Sequence, residues 1–498
     1  MQQNYYFTNE NIFSFNSGTE FSAINRQKLF KKNQMKSWIV TRNYNQNLYF
    51  TTQQHGLEYD DLINMYDYFQ NAVDVKKHHE YLRYSKLIDK HEYKIVGVDN
   101  NSSLIKRHGR TLAKVEIAPQ TVGEIGNVLY YDQFGNITSK DVWDIRGFKS
   151  KTEYMHPDGH IGHEILYDYD GQPVMEITHM FKNNDNPSMF KLLNYKGKNL
   201  RFNDENELFA FFLKELIGKD HKAIVINDRP SLIAPVAQLN CKKYQYLHSI
   251  QTTDAEMAGN PKGTLFPAFA PFFTNDFQYY DGLIVPTPGQ AKDINKLFPN
   301  INTQSISDIA VFNTKLVDQK VDNHLLFLGR LSPDHNLEQM IKIVELVKEE
   351  IPEIKLNLVG YFDNPDYREK LKKMVKDLAL EKNVIFKPYL VGQAKQEQFD
   401  NAKLVIDTSF GEAMGMTMVE ALSNGIPFVS YDVNYGPRFM INNNYNGFLI
   451  NQGDIRRFSE IIVNYLKHSD IYEKLSYNAV FSIKKLLEQH IISDWKRI

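Results

Sequence analysis

The sequence predicts an α/β protein built from two Rossmann-like halves, the first interrupted by an antiparallel β-rich insertion. Three features carry that expectation: strands alternating with helices over 320–480, a second and broken series of the same kind before residue 320, and a run of turn signals from about 95 to 200. At 498 residues the chain is too long for one core, so two or three domains are expected.

The last third is the most legible. "HLLFLG" (324–329) is a short apolar run ending at glycine, and Leu337, Met340, Ile341, Val344 and Val347 behind it recur at helical spacing. The pattern repeats: "IKLNLVG" precedes a helix around 366–380, "NVIFKPY" precedes "QEQFDNA", "KLVIDTS" precedes "GEAMGMTMVEAL", and "IPFVSYDV" follows. Such alternation at roughly 25–35 residue intervals predicts right-handed βαβ units and a parallel, doubly wound sheet. In the first half, "NIFSF" (11–15) is expected to be a strand, "NSG" a turn and "EFSAINRQKLFKK" a helix, with Ser17 and Glu20 at capping-box spacing. The theme resumes over 205–300 with "KAIVIND", "YQYLHS", "DGLIVPT" and "GQAKDINKLF". Between the two parts, "YYDQFGN", "YMHPDGH" and "YDYDGQP" punctuate alternating segments, which predicts a meander of hairpins.

Composition sets bounds on function. Fifty-eight basic against sixty acidic side chains leave a formal charge of −2, so no whole-chain field draws in nucleic acid or an anionic membrane. The single cysteine, Cys241, cannot form an intrachain disulfide, and the start lacks the basic and apolar regions of a signal peptide. A cytoplasmic protein without a membrane span is expected, with peripheral contact at the inner face of the membrane left open.

Several motifs have bland explanations that outweigh the chemical ones. Asp168 and Asp170 in "YDYDG" have a metal-binding spacing, yet the same Asp-and-Gly pattern recurs in "YDQFG" and "HPDG", which favours hairpin turns. His156, His160 and His163 straddle such a turn without firm ligand spacing, and "IKRHGR" (105–110) reads as a solvated loop. Neither a P-loop nor a complete G-x-G-x-x-G occurs, which argues against ATPase and NAD-dehydrogenase readings.

The chemistry is expected where strands of the two halves end, because helix N-termini point there. Arg330 follows the strand at 324–328 and offers a permanently charged, two-donor grip on phosphate. Glu412 lies on the loop after "KLVID", where small residues at 411, 413 and 415 let backbone N–H groups approach a phosphate. Glu420 falls inside an almost wholly apolar helix and is expected to be buried, where it can accept from vicinal hydroxyls of a ribose. Gly18 lies in the first strand-to-helix turn, and His248 with Ser249 ends "YQYL". Singly, Arg330, His248 and Gly18 each have structural explanations in an ion pair, a core contact or a turn. Their joint placement at strand ends is what favours a site.

"GRLSP" followed about eighty residues later by Glu412, a Gly-rich apolar stretch and Glu420 resembles the retaining glycosyltransferases of family four, which have the GT-B fold. "INMYDYFQ", "DIRGF", "DRPSLIAP", "LHS" and "YDVNYGP" resemble the Gram-positive subgroup with a β-rich insertion, which glycosylates serine-rich or Ser-Asp repeat adhesins and wall teichoic acid. The resemblance spans nearly the whole chain. It implies an N-terminal Rossmann-like domain in two parts (1–60 and 205–317), an inserted domain for acceptor binding or oligomerisation (61–204), a nucleotide-sugar domain (318–482) and a C-terminal helix returning to the first domain (483–498).

The resemblance also implies roles. Glu412 would meet the donor sugar at the reacting centre, His248 would lie beside it, and Glu420 would take the ribose hydroxyls. Arg330 and the amides of Ala413, Met414, Gly415 and Met416 would hold the diphosphate, with Gly18 and Thr19 closing near it. The reaction needs no cofactor or metal beyond a UDP-glucose or UDP-N-acetylglucosamine donor, since cationic side chains and helix dipoles can stabilise the leaving diphosphate. The acceptor is a Ser-rich protein or the polyol units of teichoic acid. A homo-oligomer or a related glycosyltransferase partner is implied as well, and the alternative function is a non-catalytic partner subunit. Two departures from the family pattern stand out. His335 replaces the usual lysine in the diphosphate site, and Ala413-Met414 replace Gly-Phe. A histidine is only partly charged at neutral pH, so that contact is expected to be weaker than a lysine's.

Overall fold

The first strand is Asn4–Asn9, not the expected segment 11–15. Residues 11–15 are a loop whose backbone is held by asparagine side chains: Ile12 N–H donates to Asn11 Oδ1 (2.8 Å) and Phe13 N–H to Asn16 Oδ1 (2.8 Å). Phe13 and Phe15 face solvent, so apolar composition alone misled the reading. The computed structural model describes residues 3–76, 88–180, 186–253, 259–316 and 323–498. It divides into two units, residues 1–16 with 35–242, and residues 17–34 with 243–498.

In the first unit, strands Ala223–Asn227, Asn4–Asn9, Lys36–Thr41 and Leu62–Asn64 pair in parallel in that order. Phe7, Ile39, Val40, Val225 and Ile226 are fully buried, as expected for a parallel sheet covered on both faces. Ten strands from Lys94–Asp99 to Lys198–Phe202 form one antiparallel sheet in strict sequence order, the predicted meander. Its turns are the predicted ones. In "YDYDG" the Asp168 carboxylate accepts from the N–H groups of Asp170 (3.1 Å) and Gln172 (2.8 Å), so these acids shape a hairpin. "IKRHGR" crosses between strands Ser102–Arg107 and Arg110–Ile117 through His108 and Gly109. His156 and His160 bond through their backbones across another turn, His156 N–H to His160 O at 2.8 Å.

"INMYDYFQ" and "DIRGF" meet at the buried Arg146. Its guanidinium donates to Asp67 (2.7 Å), Asp144 (2.7 and 2.8 Å), the Ala72 carbonyl (2.8 Å) and the Tyr59 hydroxyl (2.9 Å). The rings of Tyr59 and Phe148 lie 5.0 and 5.2 Å from its centre. These motifs therefore fasten the inserted sheet to the segment that precedes it.

In the second unit, helix Gly18–Lys32 begins with the expected capping box, Ser17 N–H and Oγ–H both donating to Glu20 (2.8 and 2.7 Å). Six parallel strands follow in the order Val384–Lys387, Lys355–Val359, His324–Leu328, Leu404–Asp407, Phe428–Tyr431, Gly447–Ile450. Leu337, Met340, Ile341, Val344 and Val347 of helix Leu337–Glu350 pack on this sheet with Leu325, Phe327, Leu356 and Leu358, as their spacing predicts. Strands His324–Leu328 and Leu404–Asp407 are neighbours, so the loops leaving their carboxyl ends lie side by side. Among the described residues no helix is long and apolar enough to cross a membrane.

Candidate active site

The two neighbouring loops build the site. After strand His324–Leu328, Arg330 extends into solvent and pairs with Asp334 (2.8 Å) and Asp363 (3.6 Å). Partial burial would raise the Asp334 carboxyl, but His335, the Ser332 hydroxyl and Arg330 outweigh it and hold its pKa below the usual carboxylate range. After strand Leu404–Asp407, the loop is stitched to the Pro333–Asn336 turn. Thr408 Oγ–H lies 3.0 Å from both the His335 and the Asn336 carbonyl oxygens, and Phe410 N–H donates to Asp334 O at 3.2 Å.

Glu412 is pinned through its backbone. Its N–H donates to Asn434 O (2.9 Å), and its carbonyl accepts from Tyr435 N–H (2.6 Å) and Gly436 N–H (2.8 Å), which explains "YDVNYGP". Gly436 has to be glycine, because a Cβ there would sit 2.2 Å from Met414 O. Tyr435 is held in turn by Gln251, whose amide donates to its hydroxyl at 2.8 Å. Gly415 has φ +80° and caps helix Met416–Ser423, a backbone shape that L side chains avoid.

The side chain of Glu412 has the opposite surroundings to those of a salt bridge. Burial of the carboxyl, then the charges of Asp407 and Asp308, push its pKa up to about 8, while the Met414 N–H pulls it down by hydrogen bonding. Asp308 also approaches His248, with 3.9 Å between Oδ2 and Nδ1, and the His248 ring stacks on Tyr246 at 4.2 Å. Glu412, Asp407, Asp308, Asp334 and His248 thus form one electrostatic neighbourhood.

Glu420 corrects an expectation. It is partly exposed and paired, its carboxylate receiving Lys395 Nζ–H at 2.6 Å. The helix buries Met418, Val419, Ala421 and Leu422, while Glu420 turns toward helix Gly392–Asn401. Lys395 also lies over the ring of Phe21 at 5.6 Å, and a Cβ on Gly18 would lie 3.6 Å from Met416 Sδ. The start of helix Gly18–Lys32 therefore comes up against the start of helix Met416–Ser423. Ala413 and Met414 are buried, and the Met414 amide is engaged by the Glu412 carboxyl. His335 faces Ser409, whose Oγ lies 2.7 Å from its Nδ1, and its ring meets the edge of Phe327 at 5.3 Å.

The sequence reading missed Asp407, Ser409, Asp308 and Lys395. "IDTS" at a strand end was a usable signal for the first two. Lys395 carried none, since its partner lies 25 residues away on another helix.

Comparison with known proteins bears on the fold and on the domain that carries these residues. Residues 311–480 match the family Glycosyl transferases group 1. The poly(ribitol-phosphate) alpha-N-acetylglucosaminyltransferase of Staphylococcus aureus is 24% identical over 347 residues, covering 69% of this chain and 68% of that protein. The UDP-N-acetylglucosamine–peptide N-acetylglucosaminyltransferase GtfA subunit of Streptococcus agalactiae is 21% identical over 98% of this chain and 97% of its own length. The crystal structure of the pneumococcal O-GlcNAc transferase GtfA in complex with UDP and GlcNAc superposes with a TM-score of 0.86, at 17% identity, over 100% of this chain and 98% of that one. The fold is that of GT-B glycosyltransferases, and residues 311–480 match a group 1 domain.

Proposed function

We propose that the protein is a retaining glycosyltransferase that moves N-acetylglucosamine or glucose from a UDP-sugar to hydroxyls of a surface polymer, either serine residues of a repeat-rich adhesin or polyol units of teichoic acid. The observation that carries this reading is Glu412: a carboxyl group clamped through its backbone, pressed by neighbouring acids and set beside a helix N-terminus in a group 1 domain. A structural ion pair would supply a cation there, and this position supplies negative charge. The two relatives support N-acetylglucosamine as the sugar and frame the choice of acceptor between a phosphate-linked polyol and a peptide. UDP-sugars are cytoplasmic metabolites, and we place the reaction in that compartment.

In the proposed reaction the bond from the anomeric carbon to the diphosphate oxygen breaks, and the acceptor oxygen bonds to the same face of the sugar. The acceptor proton passes to the leaving diphosphate. Arg330 and His335 take the charge of the diphosphate, with the amides of Gly415 and Met416 at the helix N-terminus. Glu412 in its ionised form stabilises the positive charge that develops on the sugar, and His248 lines the same position. Lys395 holds Glu420 where it accepts from ribose hydroxyls, and Gly18 and Thr19 close beside Met416. The domain division at 1–60 with 205–317, 61–204, 318–482 and 483–498 is part of the same reading.

Calorimetry with UDP and UDP-sugars tests it, followed by donor hydrolysis and by mass spectrometry of a Ser-rich peptide and of teichoic acid incubated with each donor. Micromolar UDP binding and a mass increment of one sugar on one acceptor are expected. No UDP binding at millimolar concentration would overturn the assignment. Light scattering with and without a related glycosyltransferase tests for a partner.

A further inference from the structure

We propose that Ser409 is a positioning residue for donor binding, and that with Asp407 behind it, it fixes the orientation of the His335 ring. The inference rests on the reading that His335 faces the donor diphosphate. Proton counting gives the direction of each bond. The Ser409 hydroxyl has one proton, and its oxygen contacts both Asp407 Oδ1 and His335 Nδ1. A carboxylate only accepts, so the hydroxyl donates to Asp407 and accepts from Nδ1–H of His335. A neutral ring is then the Nδ1–H tautomer, whose bare Nε2 repels a phosphate oxygen. An imidazolium has N–H at both ends, so in that form the ring donates from Nε2 while Nδ1–H stays on Ser409. The contact with Ser409 therefore commits Nδ1 and makes Nε2 the nitrogen that the ring presents to an anion.

Asp407 is itself fixed, accepting from Ser409 N–H at 2.8 Å. The charged groups around the ring are Asp334 with Arg330 on its own turn and Asp407 on the adjoining strand end, while Phe327 closes one edge. The turn that carries His335 does not depend on the Ser409 hydroxyl, because Thr408 Oγ and Phe410 N–H hold it through its backbone carbonyls. Removing that hydroxyl releases the ring and leaves the loop in place.

UDP binding by calorimetry at one pH near neutrality tests this on the full chain and on four variants: S409A, S409T, H335K and H335K/S409A. The expectation is about a tenfold rise in Kd for S409A, on the scale of one hydrogen bond to a charged group. S409T keeps the hydroxyl and is expected to stay within about twofold of the native chain. In the H335K background a lysine needs no ring orientation, so adding S409A is expected to change Kd by less than about twofold. An equal loss from S409A in both backgrounds makes Ser409 a general fixture of the loop and overturns the proposal, as does an unchanged Kd for S409A. Absence of UDP binding by the native chain overturns the functional assignment and this inference together, whereas the double-variant comparison strikes this inference alone.

Discussion

Arg146 in the first unit and Glu412 in the second are both ionisable groups withdrawn from water, and they are treated in opposite ways. Around Arg146 the protein supplies two carboxylates, a carbonyl and a hydroxyl within 2.9 Å and two aromatic faces. Around Glu412 it supplies Asp407, Asp308 and Asp334, three charges of the same sign, against the Met414 N–H. A compensated charge of the first kind holds elements together. An uncompensated one costs stability, and the fold keeps it only because dense packing and the Asn434–Gly436 clamp fix its backbone. On the function proposed above, polarity inside this protein separates into joints and working groups according to the sign of the neighbours.

Glu412→Gln breaks the comparison hardest. Transfer should fall by about 10²–10³-fold, in the range for a positioned group that stabilises transition-state charge, while the thermal melt shows an intact fold. Turnover near the native rate in steady-state assays would remove Glu412 from the reacting centre. Arg146→Met should do the reverse, lowering stability by about 3–5 kcal/mol in urea titrations because Asp67 and Asp144 remain buried without their partner. Donor hydrolysis by the fraction that stays folded should persist. Equal damage to stability from both substitutions would erase the distinction between the two charges.

Acidity gives a third contrast. The pKa of Glu412 lies above that of an unfolded carboxyl, so the folded state binds the extra proton. Its contribution to stability is fully present below about pH 4.5 and is lost as pH rises to about 8. Melting temperatures of the native chain minus those of Glu412→Gln should therefore decline across that window, and a flat difference would mean that the carboxyl keeps its ordinary pKa. Turnover at saturating donor should rise toward about pH 8 and level off above it, with the rise missing in Glu412→Gln. Smaller effects are expected at the edge of the site. His335→Lys should tighten UDP binding severalfold by supplying a permanent charge, read by calorimetry. Lys395→Met should weaken it by no more than about fivefold, since a partly exposed ion pair is worth up to about 1 kcal/mol. A larger loss would show that Lys395 touches the nucleotide itself.

Much of this architecture was legible in one sequence. Helical spacing in "NLEQMIKIVELVKEE" and the strand-and-helix alternation around it placed the six-stranded sheet, because a buried helix face and a buried parallel strand each leave a period in the chain. "YDYDG" and "HPDG" gave away their hairpins through local Asp and Gly chemistry. "NIFSF" deceived, because apolar residues in a short loop look the same as a short strand. Glu420 deceived for a different reason: its helix is apolar around most of its circumference, and the one open face is set by a neighbouring helix that the local sequence does not describe.

What the sequence by itself determined, then, is the order of elements and the position of Glu412, Glu420, Arg330 and His335 after strand ends, since both follow from short-range periodicity. What only the tertiary structure decided is which charges face each other. Lys395 beside Glu420, Ser409 beneath His335, the acids around Glu412 and the pair of aspartates on Arg146 are contacts across 2 to 104 positions of chain, and those around Glu412 and His335 come from separate elements. Electrostatic partnership depends on distance through space, and that is fixed only when the sheet brings strand ends together.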